Sequence, residues 1–446
     1  MNALNRDSTG RNPMRYENRP AERLTETKAG SLGLVMMVLP ALFLGGCVDI
    51  FSTDVPGDPN VISADEDFTL EQTLVGATAK LFQAYDVSIV WSGKFGDEFV
   101  NSGTAPGIQD WDRRDVGSDC CGGSQRSSSI GSPSYVVMQQ ATRMASLLRE
   151  GIAGGEFPEV GDQLTEAPEF ARAATFEGFS KIWLADLFCS VAFDGTGPEL
   201  TSLEAYEVAE DRFSQALASS GIEPDVRQAA HLGRARVRLL LGDEAGAVSD
   251  AGQVAPDFEW LAEYSTNSFA EQNMVHFRIW SFGNWSVGPA FRDLTVDDTG
   301  SPDPRVQLEV NPIPAFEPSQ DLYAPLKVSS ASSPLRIATG DEARYIIAEV
   351  EGGQAAVSII NEIRARHGVD EQWSPSTTDP DEIRDKVIDE RKRTLFLDGV
   401  RLGDIRRYIN KFDLDFFPTS TPQGFPMGGQ TCVPLPDIER NNNPGI

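Results

Sequence analysis

The sequence is short of the residues that do most protein chemistry. Across 446 residues there are three histidines, His231, His276 and His367. None stands in the His-Glu-x-x-His pattern that holds zinc on a helix face. The five cysteines, Cys47, Cys120, Cys121, Cys189 and Cys432, include no Cys-x-x-Cys pair and have no histidine at ligand spacing. That argues against a zinc knuckle. No Gly-x-Ser-x-Gly elbow and no Gly-x-x-x-x-Gly-Lys loop occurs, so serine-hydrolase and phosphate-loop chemistry have no motif to use. No catalytic residue, metal or cofactor is expected. Positive charge is also scarce. Lys and Arg total 38 against 67 Asp and Glu, a net charge of −29. Nucleic acid and anionic lipid both require clustered cations, so neither is an expected partner.

What is present begins with an apolar stretch, Leu32 to Leu44, broken only by glycine and proline. It is too short for the ~20 residues of a membrane-crossing helix. It suits the ~7–15-residue core of a secretory signal, and Lys28 and several arginines precede it. It closes on Leu44-Gly45-Gly46-Cys47, a bacterial lipobox pattern. The small residues let the backbone enter a peptidase cleft, and the Cys47 thiol then takes up a diacylglyceryl group. Residues 1–46 read as the signal peptide and Cys47 as the lipid attachment site. Each buried acyl CH₂ adds ~0.8 kcal/mol of membrane affinity. Asp7, Glu17, Glu22 and Glu26 are unusual in such a leader, and Met14 is an alternative start. With six basic and four acidic residues before Cys47, the mature chain carries −31 over 400 residues. Export permits disulfides. Of the adjacent Cys120 and Cys121 at most one is expected to reach Cys189 or Cys432, with the pairing open.

Residues 47–66 read as the acylated cysteine and a Pro-, Asp- and Ser-rich tether, and 67–446 as one domain. Helical spacing starts near Leu70, with Leu74, Ala77, Leu81 and Ala84 on one stripe. An irregular region runs over 92–133, and helical spacing resumes at Tyr135–Arg149. Helices are then expected over Glu169–Phe188, Leu203–Ala218, Val226–Leu241 and Glu244–Val254. Gly242 suits a helix end and Asp243 the next start. The string ARVRLLLGDEAGAVSDA resembles a tetratricopeptide hairpin. Residues 255–340 read as loops with short strands and at most one short helix. Two helices end at Gly352-Gly353 and Gly368. A further helical run ends near Ile409, with Gly399 and Gly403 expected to interrupt it. The last 30 residues read as extended and turn-rich.

Several of these segments together resemble the SusD/RagB family of outer-membrane lipoproteins. ERKRTLFLDGVRLGDIRR, from Glu390 to Arg407, is similar to the family's late helix, matching at Glu390, Arg391, Leu395, Gly399, Arg401, Asp404 and Arg406. Thr394 and Asp398 stand where the family usually has Glu. ARYIIAEVEGGQAAVSIINEIRARHGV and the tail VPLPDIERNNNPGI match two further family strings. The resemblance implies a mainly α fold of tetratricopeptide-type hairpins with long loop and short-strand excursions. For Glu390, Arg391, Arg401 and Asp404 the reading is a structural ion network, not a ligand site.

The resemblance further implies a surface lipoprotein of the outer membrane that captures an oligosaccharide, or a peptide, without catalysis. It would pass that cargo to a SusC-like TonB-dependent transporter barrel. Sugar binding needs flat apolar faces and polar side chains for hydroxyls. Two loop regions supply both. One gives Trp91, Phe95 and Trp111 with Asp97, Asn101, Gln109 and Asp112; the other gives Trp280, Phe282 and Trp285 with Asn284 and Arg292. Of these, Trp91, Trp111, Trp280, Phe282, Trp285, Asn284 and Arg292 are the ligand-binding candidates. Two rivals are a helical-repeat interaction scaffold and an exported glycoside hydrolase.

Overall fold

Several helices start at a residue whose side chain caps them. The structure is a computed structural model that describes residues 69–103, 106–120, 134–296, 299–377 and 379–446. Cys47, the signal segment and the tether lie outside the described residues. Thr69 opens α1 (Leu70–Phe95) with a reciprocal box: its hydroxyl accepts from the Gln72 amide, and the Gln72 side chain accepts from the Thr69 amide. The chain continues through β1 (Phe99–Asn101), α2 (Pro106–Asp112), α3 (Ser134–Gly154) and α4 (Pro168–Leu187). Next come β2 (Ser190–Val191), β3 (Leu200–Thr201), α5 (Ser202–Ala218), α6 (Pro224–Leu241) and α7 (Glu244–Ala251). The middle region holds β4 (Glu259–Ala262), the single turn α8 (Met274–His276), β5 (Trp285–Val287), β6 (Leu308–Val310), β7 (Tyr323–Pro325) and β8 (Leu335–Thr339). Five helices follow: α9 (Gly340–Glu351), α10 (Gly353–Arg366), α11 (Pro380–Thr394), α12 (Arg401–Phe412) and α13 (Asp437–Asn442). Among the described residues no helix is long and apolar enough to cross a membrane.

The helices form a relay. α1 packs on α3, α3 on α4, α4 on α5, α5 on α6 and α6 on α7; α9 then joins α6 and α7 to α10 and α11. The mainly α, hairpin-repeat class expected from the sequence is the observed one. At the α6–α7 corner Gly242 is left-handed (φ 84°), and Asp243 caps α7 by accepting from the Gly246 amide at 3.0 Å. The strands pair only as two-stranded antiparallel ladders, β1–β5, β2–β3, β4–β8 and β6–β7, among the described residues. They tie loops together without forming a sheet core.

Close helix approach rests on paired glycines. Phe213 of α5 is fully buried and fills the space over Gly178 of α4 and Gly233 of α6. A Cβ at Gly178 would lie 2.7 Å from the Phe213 ring, and one at Gly233 only 2.3 Å.

Four sequence expectations change. The helix α2 and the strand β1 form inside the 92–133 stretch read as irregular. The irregular region does not begin at Ser92, because α1 runs on to Phe95, and Gly93 is tolerated in the helix because a Cβ there would meet the Phe99 ring at 2.9 Å. Gly399, at φ 68°, does sit in the break between α11 and α12. Gly403 does not interrupt; it lies inside α12, where a Cβ would press on the Asp186 carboxylate at 2.9 Å. The tail is not wholly extended, since α13 forms near its end.

Glu390, Arg391, Arg401 and Asp404 are all buried and paired. Arg391 Nε donates to Asp404 at 2.7 Å, and Arg401 forks onto Asp97 at 2.8 and 2.6 Å. Glu390 accepts from Arg305 at 2.5 Å. Asp398 takes Arg336 at 2.6 Å. Most of these contacts reach outside the helix that carries the motif, so the motif fastens α11 and α12 to the rest of the molecule. Removing one partner of such a pair strands a buried charge.

Gly233→Ala is expected to destabilise the protein by about 1–3 kcal/mol, because the methyl must displace Phe213. Phe213→Leu in the same chain should recover part of that loss. Urea unfolding of the two variants checks both outcomes.

Candidate ligand-binding cleft

The cleft is built where three segments distant in sequence are knotted by backbone hydrogen bonds. β1 and β5 pair with Asn101 opposite Trp285. Just beyond, Ser102 N donates to Asn284 O at 3.0 Å and its hydroxyl to Gly283 O at 2.9 Å. Glu317 N donates to Ser102 O, and Phe316 N to Gly283 O, both at 2.8 Å. Residues 101–103, 283–284 and 316–317 thus share one hydrogen-bonded centre, Ser102.

The third wall is the turn around Thr421 to Phe425. Thr421 N donates to Phe425 O at 2.8 Å, and Gly428 N to Arg113 O at 2.5 Å. Arg114, with its guanidinium 4.2 Å from the centroid of Phe417, donates to Pro418 O and Gln430 O at 3.2 Å. Gln430 exchanges two bonds with Val116, at 2.8 and 3.0 Å. Beyond it, a disulfide joins Cys432 to Cys189 at the end of α4, flanked by mutual backbone bonds of Val433 with Leu187 and Cys189. Cys189 and Cys432 therefore take each other and leave neither for the adjacent pair; Cys120 is itself disulfide-bonded.

These walls enclose a cleft of about 190 Å³. Its polar lining includes the amides of Asn101, Gln109, Gln320 and Gln423, with Thr421 beside them. Gln423 Nε2 donates to Gln320 Oε1 at 2.8 Å across the opening. Charge enters through Arg113, Asp112 and Glu317. Apolar faces stand at the edge. Phe425 is 49% exposed and carries the Arg113 guanidinium 4.7 Å from its centroid. Phe316, 53% exposed, packs on Gly103 and stacks with the 43% exposed Phe282 at 5.6 Å. Amides and hydroxyls with exposed rings are the pattern that hydrogen-bonds sugar hydroxyls while covering C–H faces.

The ligand candidates read from the sequence separate into two groups. Trp91, Trp111 and Trp285 are 1%, 3% and 0% exposed. They pack on one another, with Trp91 4.5 Å from Trp111 and 5.3 Å from Trp285 between centroids. Burial leaves these three no face for a ligand; they form the floor under the cleft. Asn284 is buried too. Trp280 is half-buried and donates Nε1–H to Pro325 O at 3.2 Å. Arg292 is half-buried over Tyr323 and donates Nε–H to Val287 O at 2.8 Å. Phe282 alone of the seven is exposed beside the cleft. Asn101, Gln109 and Asp112, quoted from the same loops, do line it, whereas Asp97 is taken by Arg401. Phe316, Glu317, Gln320, Gln423 and Phe425 were missed. Their only sequence signal was a place in Pro- and Ser-rich turns, EPSQ and TPQGFP.

Beneath the cleft the electrostatics are set by burial. Lys94, at the end of α1, pairs with Asp112 and has no exposed side-chain surface. Burial draws its ammonium down to about 8 against the pull of Asp112. Burial likewise raises the Asp112 carboxyl, opposed by Lys94. Among the described residues no group of three or more His, Cys, Asp and Glu is placed to hold a metal.

Comparison with known proteins finds likeness in part of the sequence and in the fold. Residues 342–444, from α9 to the tail, match the model of the SusD family. A SusD superfamily protein of Bacteroides vulgatus superposes with a TM-score of 0.64 at 16% identity, over 84% of this chain and 98% of that one. The fold is SusD-like. The surface glycan-binding protein A of Bacteroides uniformis gives 0.63 at 15% identity, again over 84% and 98%. A SusD-like carbohydrate binding protein of Bacteroides vulgatus gives 0.60 at 14%, over 84% and 96%. No curated protein matches the chain. The ERKRTLFLDGVRLGDIRR string and the tail up to residue 444 fall inside the matched residues.

The double variant Cys189→Ala/Cys432→Ala is expected to lose about 2–5 kcal/mol of stability. It should also raise proteolysis of the 413–431 segment, which the disulfide fastens at one end. Denaturant titration with mass-mapped limited proteolysis checks both.

Proposed function

We propose that this SusD-like protein is a lipid-anchored, non-catalytic binder that captures a neutral oligosaccharide in the cleft between Asn101, Gln320 and Phe425. It then passes the glycan to a TonB-dependent transporter barrel in the outer membrane. The observation that carries the reading is the convergence of the Gln109, Gln320 and Gln423 amides with three exposed phenylalanines at one cleft. The glycan-binding description of the Bacteroides uniformis relative agrees with it, as does the lipobox ending at Cys47, which would hold the protein at the cell surface. Neutral cargo fits the net charge of −29, because a strongly acidic protein repels anionic ligands at long range. A peptide is the second reading, since glutamine amides also pair with peptide groups.

A panel of neutral, acidic and amino-bearing glycans and of short peptides, followed by calorimetry, tests the proposal. A neutral oligosaccharide should bind. Arg113→Ala, Gln320→Ala and Phe425→Ala should each weaken it by at least about tenfold, or ~1.4 kcal/mol, with unfolding temperature nearly unchanged. Binding that survives all three substitutions would place the ligand elsewhere, and product release from any glycan would rule out a pure binder.

A further inference from the structure

A buried charge lies under the cleft where an apolar core has no need of one. Lys94 projects from the last turn of α1 into the tryptophan floor, its ammonium 5.2 Å from the centroid of Trp285. Its carboxylate partner is Asp112, at the end of α2. Burying such a pair costs desolvation on both sides, and an apolar pair of similar size is often as stable or more so. The cost has a local counterpart on the cleft side. The Asp112 carboxylate accepts the Asn101 amide at 2.9 and 3.1 Å. Asn101 in turn closes on Gly103 in both directions: its Nδ2 donates to Gly103 O, and its Oδ1 accepts from Gly103 N, each at 2.9 Å. Asn101, Gly103 and Asp112 all line the cleft. Ser102, between the first two, carries the bonds that hold the Gly283 and Glu317 segments.

We propose that Lys94 is a positioning residue for the cleft: its ammonium, through Asp112, fixes the Asn101–Gly103 wall against which the ligand lies. The proposal rests on the cleft being the binding site. Its physical basis is that a carboxylate deprived of its counter-cation in the interior either moves or takes up a proton, and either change weakens its hold on the Asn101 amide. Lys94 acts on Asp112 by both charge and hydrogen bond, and the attraction of Arg113 is smaller. Arg113 follows Asp112 in sequence but lies against Phe425 at the rim. Arg278 stands 5.7 Å from the centroid of Trp285, and Glu317, facing from the opposite wall, is an acid.

The arrangement also makes opposite demands on two observables as pH rises through about 8, where buried Lys94 gives up its proton. The folded value lies below the ordinary 10.5, so between the two the unfolded chain holds the extra proton. Lys94's contribution to global stability therefore rises across that window. Order in the Asn101–Gly103 wall should fall across the same window, because the counter-charge of Asp112 is gone.

Hydrogen exchange of the purified protein, read by mass spectrometry over 99–103 without any ligand, tests this. Lys94→Met should speed exchange there by about tenfold at pH 7, the equivalent of one lost hydrogen bond, with α4 to α7 unchanged. The double variant Lys94→Met/Asp112→Asn should restore much of the protection, since a neutral amide oxygen still accepts from Asn101 and needs no counter-charge. Wild type at pH 9.5, corrected for intrinsic exchange, should approach Lys94→Met. Unchanged exchange over 99–103, or equal acceleration everywhere, would overturn the proposal. If Lys94→Met does not fold, the wild-type pH series decides by the same criterion. Absence of any glycan ligand would refute the binding reading without altering this result.

Discussion

One ion pair joins the two ends of the fold. Asp97, just past the end of α1, receives both arms of Arg401, at the start of α12, across 304 residues of sequence. Beside it, the Leu397 amide donates to Glu98 at 2.8 Å. The turn carrying Leu397 and Gly399, both at positive φ, packs against Tyr85 and Ile89 of α1. A forked Arg–carboxylate contact fixes orientation as well as distance. It sets where α1 ends and therefore where β1 and the cleft begin. The loops that line the cleft inherit their position from a contact outside it.

The same logic extends to other buried acids among the described residues. The acids nearest the centre are engaged. Asp97 is held by Arg401, Asp112 by Lys94, Asp398 by Arg336 and Lys327, and Asp404 by Arg391 and Arg407. Burial pushes the Glu98 carboxyl up to about 8, so near neutrality it is largely protonated, and it lies in the interior away from the cleft lining. A glycosidase needs two carboxyl groups facing the same sugar. Here Asp112 and Glu317 both reach the cleft, but Asp112 is committed to Lys94 and the Asn101 amide.

The helical scaffold was legible in the sequence because its apolar periodicity is local. α4, α5, α6 and α7 begin and end within a few residues of the expected limits, and Gly242 and Asp243 serve as read. The cleft was legible only in part. Aromatic residues in a Gly-rich stretch look alike whether they face water or a core, and Trp91, Trp111 and Trp285 went inward because α1 continues under β1. Phe316 and Phe425 were invisible for the opposite reason. Nothing in EPSQ or TPQGFP shows that two turns more than 100 residues apart meet over Asn101. The buried Lys94 gave no signal either, since a lone lysine reads as a solvated one.

The walls of the cleft are fixed mainly through backbone atoms. Ser102 to Gly283 and Glu317, Gly428 to Arg113, and Val433 to Leu187 are contacts whose acceptors are main-chain carbonyls. Such a frame tolerates replacement of side chains that point into the cleft, because the bonds that hold it do not depend on them. Such a frame is compatible with one fold persisting at 11–16% identity among the solved structures it resembles. The frame also arrives assembled. A ligand meeting walls already held by Ser102 and by the Cys189–Cys432 link pays little in loop ordering. The side chains that reach inward from this frame are the glutamines and phenylalanines of the rim, and beneath it lie the packed tryptophans and one buried ion pair.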